Sequence, residues 1–279
     1  DQRFLDEQGN LEAARRIDRD QDRGGVGGNI QLGADWLMDE RNTLTGSMLL
    51  RLGKDDNRTT LVYEDFDEDR NLLGTTVRTD NELEDEYSIE SALTYRKTYE
   101  EEGREWVTDI RYNDEKDTER SDFLEEGFLQ ENPLTQRSEI TENESNFLFQ
   151  SDYVHPLGED AKLEGGLRAA LRTINNGFRL EEQNDEGLFV PLSDFNDELE
   201  FTENVYAAYL IAANEWERWG LQVGLRTEYS DITALLLESE VRNDQNYLSL
   251  FPSAALTYKL NEKNQLQASY SRRISRPYF

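Results

Sequence analysis

The chain has 279 residues, with 60 acidic against 30 basic side chains, a net charge of -30 and no cysteine. This excludes nucleic-acid binding through clustered Lys and Arg, disulfide frameworks and thiol chemistry, and leaves cationic or metal-bearing partners open. With 32% charged residues and a mean hydropathy of -0.85, no stretch approaches the ~18 apolar residues of a membrane-spanning helix, a limit that does not touch β-barrels.

The chain opens Asp1-Gln2-Arg3-Phe4, without the basic and apolar regions of a signal peptide. Residues 1–25 are expected to be a polar lead-in to one barrel domain over residues 26–279. From Asn29 onward apolar residues recur at every second position, the period of a strand. The first run is Ile30, Leu32, Ala34, Trp36 and the second Leu44, Gly46, Met48, Leu50, Leu52. Then come runs beginning at Tyr87, Trp106, Phe147 and Leu163, followed by Val205, Ala207, Tyr209, Ile211, and finally runs beginning at Leu221, Leu250 and Leu266. These ten segments approach the 9 to 11 residues that a tilted strand needs to cross a bilayer.

Short and long links alternate between them. The short ones fall near residues 39–42, 98–104, 156–161, 214–218 and 261–263; the long ones span about 53–83, 114–144, 173–202 and 231–246. Tight turns on one rim and long loops on the other form the pattern of an outer-membrane barrel, and compact soluble domains seldom hold several loops of that length. The four long links contain 32 acidic and 9 basic residues, so most of the acid is expected on the loop rim. Trp36, Tyr95, Trp106, Tyr153, Trp219 and Tyr258 stand near strand ends, as in the aromatic girdles of a membrane barrel.

Three sets of residues carry candidate chemistry. In the first long link, Asp65, Asp67 and Asp69, followed by Asn71, begin with the alternating oxygens of a calcium loop. Arg70 then stands where Gly is needed and Thr76 where the closing Glu belongs. Calcium is thus the one candidate metal, in a loop whose default is a solvated acidic run. His155, the sole histidine, precedes Pro156 in an expected turn and lacks an evident nucleophile. Carboxylate neighbours such as Glu181-Glu182, Asp185-Glu186 and Asp197-Glu198 do not flank one bond at a fixed separation, as hydrolysis requires. On the faces opposite the apolar runs, Arg168, Arg172, Arg226, Glu228, Arg272, Arg273 and Arg276 are expected to line a lumen, pairing with a plug or contacting an anionic ligand. No catalytic residue and no cofactor is expected.

Several segments resemble a known family. Glu203-Asn-Val-Tyr-Ala-Ala-Tyr-Leu, Trp219-Gly-Leu-Gln-Val-Gly-Leu-Arg-Thr-Glu-Tyr, Phe251-Pro-Ser-Ala-Ala-Leu-Thr-Tyr-Lys-Leu and Leu266-Gln-Ala-Ser-Tyr-Ser-Arg-Arg-Ile-Ser-Arg-Pro277 are similar to the middle of TonB-dependent receptor barrels. The similarity is to the outer-membrane β-barrel family whose members often carry a carboxypeptidase-regulatory-like module, and it covers residues 147–279. The resemblance implies an all-β, antiparallel, up-and-down transmembrane barrel of the 22-strand type, of which this chain supplies about ten strands, without the plug and the remaining strands. It also implies an outer-membrane location, an internal plug, and energised uptake of a scarce solute (siderophore, metal chelate, oligosaccharide or peptide) through the inner-membrane TonB-type coupling complex. Two other roles fit the same pattern: a scaffold for a surface lipoprotein or secretion complex, and a membrane-embedded hydrolase acting at the outer rim.

Overall fold

The computed structural model describes residues 2–5, 11–128 and 132–274. Among these residues twelve strands form one sheet: β1 (Gln2–Leu5), β2 (Leu11–Leu37), β3 (Asn42–Phe66), β4 (Leu72–Thr98), β5 (Glu105–Gly127), β6 (Leu134–Pro156), β7 (Ala161–Gln183), β8 (Phe189–Pro191), β9 (Asp197–Glu215), β10 (Trp219–Leu236), β11 (Val241–Asn261) and β12 (Asn264–Ser271). Each pairs antiparallel with its chain neighbour in an up-and-down path, except that β8 is a short flap on β7 and β9 takes the next place in the sheet.

All ten apolar runs fall in separate strands, and all five short links are the turns of one rim. These turns satisfy their own backbone. Asp39 accepts the Arg41 and Asn42 amides at 2.8 Å each, and Asn261 accepts those of Lys263 and Asn264 at 3.0 and 2.9 Å.

Most of each long link is strand and not loop. The β3 and β4 strands remain paired from Asn42 and Lys97 out to Phe66 and Leu72, and β5 remains paired with β6 to Glu125 and Leu134. The same holds for β10 and β11 as far as Leu236 and Val241. Likewise, residues 11–25, read as a lead-in, form part of β2. A 27-residue strand such as β4 extends ~90 Å, several times the ~25 Å apolar band of a membrane barrel. The physical reason is plain. Apolar alternation marks a strand only where one face meets an apolar medium; where both faces meet water, the pairing continues on polar side chains.

In this extension cross-strand ion pairs replace apolar contacts. Lys54 pairs with Asp85 at 3.4 Å, Arg120 with Glu139 at 2.8 Å, and Arg137 with Glu181. Opposite charges on facing strands stabilise such pairings modestly, by about 0.2–1 kcal/mol each.

The register identifies the two faces. Leu32, Met48, Leu93, Ile110, Phe149, Leu167, Leu225 and Leu256 share one face across the pairings, and Leu32, Leu167 and Leu225 are more than half exposed there. The strand β9 joins this face through Tyr206, Ala208 and Leu210, since Leu210 faces Gly165 and Leu225. That corrects the expectation for Val205, Ala207, Tyr209 and Ile211, which lie on the opposite face. The sequence Val205-Tyr-Ala-Ala-Tyr-Leu-Ile is apolar at both parities, so period alone does not choose. Only the neighbouring strands do.

On the apolar face the band ends where Lys54 on β3, Asp85 on β4 and Asp231 on β10 become the next residues of that parity. Aromatics border it. Tyr95 meets Trp106 edge-on at 5.9 Å and Trp219 lies 4.5 Å from Tyr258 toward the tight-turn rim, while Tyr87, Tyr112 and Tyr229 stand at the other border. The opposite face is concave, because one recess of about 560 Å³ is lined by side chains from Gln31 of β2 across to Val205 of β9.

Candidate functional site

The concave face carries polar and charged side chains along its whole length, sorted into levels. Nearest the tight turns, Tyr209 donates its hydroxyl to Asp152 Oδ1 at 2.6 Å and lies 3.4 Å from Glu164. Its ring lies over Gly166, where an added Cβ would collide with both Tyr209 and Asp152. Glycine therefore gives the ring its seat and brings the phenol to the carboxylate.

Beside this clamp a recess of about 500 Å³ is lined by Arg226, Glu228, Arg272 and Arg273. Arg226 Nε donates to Glu228 at 2.7 Å, and Glu228 is buried. Four of the seven lumen candidates, Arg226, Glu228, Arg272 and Arg273, thus meet at one place. Arg168 is elsewhere, in the central recess with Glu90, Arg111, Arg172 and Glu203, where its closest polar contact is Gln150 at 3.5 Å. Arg172 makes a two-point contact with Glu144 at 2.8 and 3.1 Å. Arg276 lies outside the described residues.

Above the arginines, the concave face of the extension is acidic. Register sets Asp55, Glu84 and Glu119 side by side in one row, Glu86, Asp117 and Glu142 in the next, and Glu115 and Glu144 in a third. Carboxylate oxygens of Asp55, Glu84 and Glu86 lie within 4.8 Å of one another. Burial first, and the adjacent Asp117 carboxylate second, push Glu84 up to about 7, and burial likewise raises Glu119. The acid lines a recess of about 510 Å³ that includes Glu86, Glu115, Asp117 and Glu142. Sequence reasoning placed this charge in loops and missed the grid. Its signal was Glu82-Leu-Glu84-Asp-Glu86, a carboxylate at every second residue, which becomes one face once the segment is a strand.

The structure separates the calcium candidates. Asp65 is held by Arg15 at 2.6 and 3.0 Å. Asp67 instead closes its own turn, accepting the Asn71 side-chain amide at 2.9 Å and its backbone amide at 2.7 Å, and these contacts, the side-chain one first, lower its pKa; Asp69 is exposed at the tip. His155 stacks on Tyr153, 6.1 Å between ring centres. Glu181 and Glu182 turn to opposite faces, toward Arg137 and Gln136 respectively.

The model of the outer membrane protein β-barrel family matches residues 97–279, starting 50 residues before the segments that resemble it in sequence. No curated protein sequence matches the chain. Among solved structures, the ferric citrate transporter FecA in its unliganded form aligns at 10% identity and a TM-score of 0.34, covering 85% of this chain and 42% of that one. The alcaligin outer membrane receptor FauA from Bordetella pertussis aligns at 12% identity and a TM-score of 0.33, covering 93% and 43%. The chain spans less than half the length of either. With a family model over more than half its length, and an up-and-down sheet whose outward band is apolar and whose concave face is wet, this chain belongs to the outer membrane protein β-barrel family.

Proposed function

We propose that the chain is wall of a TonB-dependent receptor-type transporter, in which an internal plug is displaced by the inner-membrane coupling complex to admit a scarce solute. The observation that carries this reading is the width of the wet interior. Among the described residues eleven strands follow one another and no pairing joins β1 to β12, and an open sheet edge is not tolerated in hydrocarbon. Further strands therefore complete the membrane form, and barrels well above eight strands enclose a channel or a plugged lumen instead of a packed core.

Charged pairs such as Arg172–Glu144 and Arg226–Glu228 keep the wall compensated, and Arg168, Arg226, Glu228 and Arg272 are the side chains we assign to contact with the plug. By the general pattern of such barrels the tight turns face the periplasm and the extension faces outward. The direct test is uptake of labelled siderophores, metal chelates, oligosaccharides and peptides by cells carrying the full-length protein, with and without the coupling complex. Accumulation that depends on the complex supports the reading, and equal accumulation in its absence overturns it.

A scaffold role for a surface lipoprotein or secretion complex is the second reading, favoured by the length of the extension. It predicts a lipoprotein or secretion subunit that co-purifies in fixed ratio, with no energised uptake of any solute.

A further inference from the structure

The outer ends of the four extension hairpins share a feature that the strands below them lack. Leu72 and Leu73 at the β3–β4 end, Phe128 at the β5–β6 end, Leu188 and Phe195 around the β8 flap, and Leu237 and Val241 at the β10–β11 end are 42–62% exposed. Nearer the band, no large apolar side chain is comparably exposed over residues 54–66 of β3, 113–123 of β5 or 134–146 of β6. Hydrocarbon does not cover the tips, because Leu72 stands 15 residues beyond the Tyr87 border, ~50 Å along β4. Phe128, Leu188 and Phe195 also lie mid-sheet, away from both open edges. Grouped apolar side chains left in water mark interaction sites.

The tips are tied to one another. Phe128 lies against Gly74 of the neighbouring hairpin, where an added Cβ would meet its ring. The Arg137 guanidinium of β6 lies 4.3 Å from the centre of the Phe189 ring on the flap. Asp197, opening β9, accepts the Glu238 amide at 3.3 Å and the Ser239 hydroxyl at 3.2 Å. The apolar side chains therefore stand on a braced rim and not on independent loops, so little ordering opposes docking there. Across the eight strands from β3 to β11 the rim runs roughly 35 Å. That is the breadth of a protein–protein interface and far more than a small solute covers.

From this rim we infer that the extension docks a folded protein whose contact surface is an apolar patch ringed by Lys and Arg. Charge sets the class. Glu68, Glu126, Glu186, Asp194, Glu238 and Glu240 are exposed beside the apolar side chains, so a second copy of this chain meets like charge there, whereas a basic surface meets its complement. The inference rests on the outward orientation given above and on neither reading of the function.

The test places a photoreactive amino acid singly at Leu73, Leu188 or Val241 of the full-length protein in cells, with the same group at Glu200, exposed on the flank of the extension, as control. The three rim positions are expected to give an adduct with one and the same other protein, and Glu200 none. That protein, purified and titrated against the full-length receptor in zwitterionic nanodiscs, is expected to bind more weakly as salt rises. It is expected to bind about tenfold more weakly to the double variant Leu73→Asp with Phe195→Asp, whose unfolding midpoint stays that of the parent. Adducts of twice the receptor mass, adducts internal to the chain, unrelated proteins at the three positions, no adduct, or an unchanged Kd in the double variant each overturn the inference. Energised uptake without a rim partner defeats only this inference, whereas a rim partner without energised uptake defeats only the transport reading.

Discussion

Single side chains set the levels of the concave wall, and two of them give sharp expectations. The Tyr209–Asp152 contact at 2.6 Å is a hydrogen bond to a carboxylate, worth about 1.5–3 kcal/mol. Tyr209→Phe is expected to lower stability by roughly that amount in a urea unfolding titration of the lipid-embedded barrel, and Gly166→Ala, which crowds the same ring, is expected to destabilise by about 1–3 kcal/mol. Glu84 gives the pH dependence. Its folded value is raised from 4.5 to about 7, so the fold favours the protonated form. The stabilisation is complete below about pH 4.5 and is lost as pH rises through about 7. Hydrogen exchange of the 80–86 and 115–121 amides, corrected for intrinsic rates, is expected to quicken from pH 5 to pH 8, and Glu84→Gln to flatten that response.

At the scale of elements, the membrane segments were legible and the extensions were not. The ten apolar runs and five tight turns could be read because lipid on one side forces a two-residue period and because Asp39, Gly103, Gly158 and Asn261 are turn residues. The extensions carry no such period. Thr, Glu and Arg on both faces look like loop until cross-strand partners are known, so Asp55 and Asp117 read as loop and not as wall. The β9 face failed for the opposite reason, apolar residues at both parities. The corrected face predicts asymmetry. Leu210→Arg or Leu225→Arg, at mid-band, is expected to cost about 2–4 kcal/mol, while Gln222→Arg on the concave side costs little, as read from denaturant midpoints in bilayers. Salt separates the two zones as well. Pairs such as Arg120–Glu139 are worth about 0.2–1 kcal/mol and are screened, so 1 M NaCl is expected to raise proteolysis of the extension and spare the band.

At the scale of the whole molecule, a single division accounts for sequence and fold: an outward band next to lipid, a wet concave wall, and strands that continue far beyond the band into water. The net charge of -30 follows from it, since most of the acid lies beyond the band, where it solvates a long exposed sheet and makes its concave wall attractive to cations. The division can be scanned with single cysteines along β9 and β10 in the full-length protein on a background free of other cysteines, each labelled with an environment-sensitive fluorophore in bilayers. The account predicts lipid-like emission at positions 206, 208, 210, 221, 223, 225, 227 and 229, water-like emission at 207, 209, 222, 224, 226 and 228, and water at both parities beyond Asp231. Water-like emission at both parities across 221–229, or lipid-like emission from the 207 and 209 set in place of 206, 208 and 210, would contradict it.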